Sequence, residues 1–271
     1  MKLRLASLAM YVAPKPVEEA TDAFWAFIRD YLRQAGLADV PDMIDRSVAY
    51  DHAWARPDLL LSQICGHPYA ATFRDRVRLI ATPCYSYRGC DGPNTRSLII
   101  MRKDAGYTSL ADLRGRVAAV NSFESNSGTN VFRAAIAPFA NGQKFFDRVF
   151  EAGAHVASIA AVSEGRADCA AIDCVTFGHL NRFAPQLLDR VTVLDETPSG
   201  PGLAMITAIS TSDDDVAVLR AALFAALSEP ALADVRDTLA LVGFEVLSDA
   251  DYEALLDLER QAAALGYPEL A

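Results

Sequence analysis

Ser125, Asn126, Ser127, Gly128, Thr129 and Asn130 follow one another without interruption. Hydroxyls and side-chain amides at this density suit two tasks. Ser, Thr and Asn are favoured at the N-caps of helices, and the same groups can surround an anion with hydrogen-bond donors. The flanks bear on the choice. Val117-Ala-Ala-Val120 reads as an apolar strand, and Val131, Phe132, Ala134, Ala135 and Ile136 begin a helical pattern. A strand, a hydroxyl-rich loop with one glycine and a helix start aim backbone N–H groups and the positive end of the helix dipole at one spot. Anions bind at such spots. Glu124 adjoins the loop and disfavours a doubly charged anion unless its side chain turns away.

Further candidates sit at comparable places. His155 and Ser158 are three apart at the start of another expected helix and so share a face. They read as a second donor pair or as an ordinary cap. Asp173 ends an apolar run, where it either meets a cationic group of a ligand or caps the next helix. Gln63 and Cys65 end an apolar strand on its carboxyl side, the side on which open α/β sheets bind ligands. Tyr11 follows the first strand, Tyr69 follows the Cys65-Gly-His-Pro68 turn, and Tyr85 and Tyr87 lie in a break. A tyrosine offers stacking area plus one hydroxyl, although rim or core positions account for such residues equally well. Asp168, after Gly165, reads as structural, Trp25 and Trp54 as core or surface, and Arg88 and Arg96 as solvated or anion-contacting.

Composition narrows the chemistry. The chain has 271 residues, of which 52% are hydrophobic and 22% charged, with a formal net charge of −10. That is enough apolar material for one large domain or two moderate ones. With no cluster of Lys or Arg, nucleic acid and acidic membrane surfaces are not expected partners. An anion would therefore be held by local N–H groups, hydroxyls and helix ends rather than by a broad positive field. No apolar run approaches the length of a membrane span. Cys65, Cys84, Cys90, Cys169 and Cys174 make an odd count without C-x-x-C spacing, and the four histidines are scattered. A disulfide framework and a metal site are thus not expected. Buried thiols are the expected state, with a Cys84–Cys90 bridge open to an oxidising compartment. No G-x-G-x-x-G fingerprint follows the first strand and no phosphate loop appears, so no cofactor is expected. Within Met1–Met10 the apolar stretch is short, is broken by Arg4 and lacks a convincing cleavage site.

The elements alternate strand and helix nearly throughout, which predicts an α/β architecture with mainly parallel sheets. Expected strands include Leu3–Leu8, Ser47–Tyr50, Leu59–Gln63, Val77–Thr82, Ser97–Arg102, Val117–Val120, Cys169–Ile172, Val191–Leu194 and Met205–Ser210. Ser109–Asp112 and Ser248–Asp251 read as capping boxes. Two breaks rich in Pro and Gly, about 83–96 and 195–204, bracket a central block over 97–195. The outer segments 1–85 and 205–271 then form one discontinuous lobe and the central block the other. Two lobes joined by two crossings imply a hinge and a cleft for a small ligand.

Certain stretches carry a family likeness: Ser62-Gln-Ile-Cys-Gly66, Ser109-Leu-Ala-Asp-Leu-Arg-Gly115, Ser125-Asn-Ser-Gly128, Gly153-Ala-His-Val-Ala-Ser158 and Gly165-Arg-Ala-Asp-Cys-Ala-Ala-Ile-Asp173. With them the chain resembles, over about residues 3–245, the type II periplasmic-binding-protein superfamily, and within it the phosphate- and phosphonate-binding components of ABC transporters. The resemblance implies a two-lobed α/β fold, a monomer, and a solute-binding protein that closes over a small anion and presents it to a permease. It places Ser125, Ser127, Gly128 and Thr129 at the oxyanion. Asn126 stands where such relatives often carry Ser or Thr, which points to a different head group, and a carboxylate at or near Asp173 pairs with a ligand amine in some of them. The compartment would be periplasmic if a signal peptide has been removed and cytoplasmic otherwise. The alternatives are an enzyme of cofactor biosynthesis, for which Cys65, His155 and Asp173 are the reactive groups, and a ligand sensor on the same fold.

Overall fold

The computed structural model describes residues 3–271. Among the described residues the strands follow in chain order: β1 Leu5–Ser7, β2 Leu59–Ile64, β3 Val77–Tyr85, β4 Cys90–Asp91, β5 Asn94–Thr95, β6 Ser97–Arg102, β7 Val117–Val120, β8 Arg148–Glu151, β9 Cys169–Asp173, β10 Val191–Glu196, β11 Gly200–Pro201, β12 Ala204–Ala208 and β13 Leu241–Glu245. The chain forms two compact units. Of the described residues, the first comprises those up to 86, 91–93 and 202–251, and the second 87–90, 94–201 and 252–271.

The first unit holds a five-stranded sheet in the order β1-β2-β12-β3-β13. The helix Lys15–Gln34 places Phe24, Trp25, Ile28 and Leu32 against Leu60, Leu61 and Ile80, with Val216, Leu219 and Leu223 of the helix Asp213–Ser228 in the same core. Trp54 is also buried. Among the described residues no single helix is long and apolar enough to cross a membrane.

The second unit holds the order β10-β6-β9-β7-β8. Its strand residues alternate between two cores, as a pleat requires. Ile99, Ala118, Val120, Cys169 and Ala171 point into a core with Phe132, Ile136, Phe145 and Phe146. Ile100, Ala119, Ala170 and Ile172 point into another with Ile159, Val162 and Leu180. Burial on both faces is why these strands read as unbroken apolar runs.

Three features depart from the sequence reading. The sheets are mixed rather than mainly parallel: β12 runs antiparallel to β2 and β3, and β6 antiparallel to β9 and β10, while β1–β2, β7–β8 and β7–β9 are parallel. An apolar run buried on both faces carries no mark of its direction. The expected strand over Ser47–Tyr50 is a turn followed by the short helix Tyr50–Trp54. There the Asp45 carboxylate accepts hydrogen bonds from the Ser47 and Val48 amides, a local bond that competes with strand pairing. Finally, residues 252–271, expected with the first lobe, pack with the second unit, because Ala262, Tyr267 and Leu270 join the Phe132 core. The first strand covers Leu5–Ser7, with Leu3 exposed, and Met1 and Lys2 of the expected amino-terminal stretch lie outside the described residues.

Candidate anion-binding site

β7 ends at Val120, and the chain turns through Asn121–Glu124 into Ser125, which is extended (φ −67°, ψ 140°) and caps the turn behind it. The Gly128 amide donates to Ser125 Oγ at 3.1 Å. One wide turn, Asn126–Asn130, then leads into the helix Val131–Ala140. The glycine is required by space. A Cβ on Gly128 would lie 1.8 Å from Asn121 Oδ1, so the loop packs directly on the end of β7.

The hydroxyls divide between scaffold and site. Thr129 Oγ1 donates to the Ser122 carbonyl at 2.7 Å, and Ser97 Oγ donates to the Ser127 carbonyl at 2.8 Å. Asn130 Nδ2 donates to Asn126 Oδ1 and to the Leu255 carbonyl, while buried Arg133 donates to Asn130 Oδ1 at 2.6 Å and to the Pro268 carbonyl. Burial lowers the Arg133 guanidinium from its ordinary value, with Glu259 and Glu269 opposing that shift. Thr129, Asn130 and Arg133 thus brace the loop.

Ser125 and Ser127 face each other, Oγ to Oγ at 3.4 Å, and Ser127 Oγ lies 2.9 Å from His155 Nε2. His155 is the first residue of the helix His155–Ser163. β7 and β8 are adjacent parallel strands, and the two helices that follow them start side by side at the carboxyl end of the pair. Two helix N-termini, two hydroxyls and one imidazole therefore converge. Desolvation pushes His155 down to about 4, against a weaker opposing pull from the Ala171 carbonyl. The residue keeps partial exposure, which tempers the size of that shift and leaves its direction. The ring is neutral at pH 7, and its Nδ1 has no hydrogen-bond partner. A neutral imidazole that donates through Nε2 leaves the Ser127 hydroxyl proton available to a ligand.

Residues 16–252 match the family described as ABC transporter, phosphonate, periplasmic substrate-binding protein. The chain belongs to this family. No curated protein matches it in sequence. Among solved structures it is similar to the binding-protein component of an ABC phosphonate transporter from Pseudomonas aeruginosa, at 18% identity and a TM-score of 0.76 over 97% of this chain and 87% of that one. It is similar to PhnD1 from Prochlorococcus marinus, in complex with methylphosphonate, at 14% identity and a TM-score of 0.73 over 96% and 98%. A chloride-bound protein from Xanthomonas citri, XAC2383, gives 15% and 0.71 over 97% and 98%. These likenesses show the two-lobed periplasmic-binding-protein fold.

The other residues expected in the site make the following contacts. Ser158 does not join His155: it is fully buried and its hydroxyl donates to the Ala154 carbonyl at 3.2 Å. Asp173 caps the helix Cys174–Phe183, accepting from the Val175 and Thr176 amides. Tyr87 Oη is 3.1 Å from His179 Nδ1. In the first unit, Tyr11 packs edge-on against Tyr85 at 5.7 Å, Gln63 Nε2 approaches Tyr85 Oη at 3.5 Å, and Cys65 is buried just beyond the end of β2. Asp168 is structural, accepting from Tyr107 Oη and the Val117 amide. Arg88 and Arg96 both pair with Glu196. Glu124 is exposed.

Sequence reasoning missed Asn121 and Ser97. Asn121 Oδ1 is buried without a hydrogen-bond partner. A polar residue directly after an apolar strand was the available signal for Asn121. Ser97 gave none, because its contact joins β6 to a loop 30 positions further along the chain.

Proposed function

We propose that this family member is a solute-binding protein that captures a small oxyanion, phosphate- or phosphonate-like or a related organic anion, and presents it to an ABC-transporter permease in the periplasm. The observation that carries the reading is the Ser127 Oγ–His155 Nε2 contact of 2.9 Å, where two helix N-termini meet. Ser125 and Ser127 would hold the oxygens through their hydroxyls, with His155 orienting the Ser127 hydroxyl. Every one of these groups is neutral. A singly charged head group fits that set better than a doubly charged one, and the exposed Glu124 beside the loop acts in the same direction.

The test is a panel of phosphate, phosphite, methylphosphonate, sulfonates and carboxylates. A ligand that binds only the folded chain raises its melting temperature by mass action, and calorimetry then gives the affinity. No stabilisation by any member would overturn the reading.

The Ser127–His155 pair also favours a second reading, a hydrolytic enzyme in which His155 activates Ser127. In the triad a carboxylate orients the imidazole, and among the described residues none bonds His155 Nδ1. Turnover of a phosphate or carboxylate ester, lost in Ser127→Ala, would establish it.

A further inference from the structure

We propose that Cys90 and Cys174 form a disulfide site that fastens the segment Tyr87–Cys90 to the start of the helix Cys174–Phe183. The two thiols are 84 positions apart in sequence and 3.4 Å apart in space, Sγ to Sγ. Cys84, the sequence-based candidate partner for Cys90, lies instead on β3 in the first unit.

The surrounding backbone is already fixed for such a bond. Gly89 runs so close to Cys174 that a Cβ on it would sit 2.9 Å from Cys174 Cβ. The Arg96 amide donates to the Gly89 carbonyl at 3.1 Å, and the Cys174 amide donates to the Arg96 carbonyl at 3.3 Å. One helical turn on, the Tyr87 ring lies flat against Gly178, where a Cβ would fall 2.3 Å from the ring, and Tyr87 Oη meets His179. Closing the sulfurs from 3.4 Å to a bonded separation of about 2.05 Å therefore asks for movement of the thiols and little of the chain.

Exposure sets the order of events. Cys90 is partly exposed and Cys174 is buried. The hydrogen bond to Cys90, with burial, pushes the Cys174 thiol well above its ordinary range. Cys90 thiolate attacks one sulfur of a disulfide oxidant, such as oxidised glutathione or the disulfide of a thiol oxidoreductase. The oxidant's S–S bond breaks and one thiolate leaves. Cys174 then gives up its proton and attacks Cys90 Sγ, expelling the second oxidant thiol. Two thiol protons and two electrons pass to the oxidant, which ends as two thiols. Periplasmic compartments support this direction.

The experiment uses the full chain, reduced and then treated with oxidised glutathione under native conditions. Reduced protein should titrate five thiols, and oxidised protein two fewer. Peptide mapping without reductant should recover the Cys90 and Cys174 peptides joined. The melting temperature should rise by roughly 5–10 °C, as expected when a long loop is closed, and fall back with dithiothreitol. Cys90→Ser should remove the oxidant-dependent rise. Five thiols persisting after oxidation, a linkage between any other pair, or an undiminished rise in Cys90→Ser would each overturn the proposal.

Discussion

Asn121 Oδ1 occupies the space in which a Gly128 Cβ would stand, 1.8 Å from its ideal position. The end of β7 and the Ser125–Asn130 loop are therefore in direct contact. Gly128→Ala should force Asn121 or the loop to shift. Overpacking of this kind costs about 1–3 kcal/mol, read as a lower denaturant midpoint, and the displaced Ser125 and Ser127 should lose most anion affinity with it. The variant with Asn121→Ala added makes room for the methyl group and should recover stability. A single variant as stable as the parent would show that the loop is looser than the packing indicates.

Ser127 and Ser158 were expected on the ligand together, and their bonds now separate them. Ser127→Ala removes a donor facing the site and should weaken binding of whichever anion stabilises the protein by about 1–2 kcal/mol, roughly 5- to 30-fold. Ser158→Ala removes a bond to the Ala154 carbonyl behind the site and should leave affinity unchanged, with a change in stability of about 1 kcal/mol or less. Calorimetric titration of both variants decides this. Equal losses would put Ser158 back at the ligand.

The loop was legible because its signal is local. Apolar periodicity breaks at Asn121 and resumes at Val131, and hydroxyls and one glycine fill the gap. His155 was legible for the same reason, as the start of the next helix. The Ser158 bond to the Ala154 carbonyl escaped because spacing on a helix gives the face and not the carbonyl four residues back. The Cys90–Cys174 approach and the Ser97–Ser127 bond depend on which strands lie side by side, which no local pattern records. Strand direction escaped for a related reason: β12 is as apolar as the parallel strands, and its hydrogen bonds alone reveal that it runs the other way. The first-unit candidates Tyr11, Gln63 and Cys65 were chosen by position at strand ends, and contacts among Tyr11, Gln63 and Tyr85 show a packed group there.

Arg133 should matter to the site without facing it. It bonds Asn130 and the Pro268 carbonyl, so it ties the Ser125–Asn130 loop to the carboxyl-terminal segment. Arg133→Met keeps much of the volume and removes both bonds. The loss of bonds to a charged group should destabilise the protein by about 2 kcal/mol or more, and anion affinity should fall only to the extent that Asn126–Asn130 loses order. Hydrogen exchange at the Ser127–Asn130 amides reads that order directly. Protection equal to the parent's would mean that the loop holds its shape without the arginine.

Acid should weaken the fold through its buried histidines before it touches the carboxylates. His155 and His179 are both held near 4, chiefly by desolvation, against an ordinary value of 6.5. Between those values the unfolded chain binds protons that the native state refuses, so stability falls as pH drops from 6.5 towards 4 and levels off below. For the fully buried His179 the loss at pH 5 is about 2 kcal/mol. His155, partly exposed, loses less. Asp45, Asp112 and Asp251 lie below their ordinary 3.8, principally through bonds to backbone amides, and their contribution is lost only under still more acid conditions. The melting temperature should therefore drop by roughly 4–8 °C from pH 7 to pH 5, and His179→Gln should shrink that drop. A bound anion beside Ser127 opposes the effect at His155, because negative charge favours the protonated ring. Anion binding should then take up a proton and tighten as pH falls from 7 to 5, for a ligand whose own charge is constant over that range. Binding enthalpies measured in buffers of different ionisation heat count that proton, and a count of zero at pH 5 would remove His155 from the ligand.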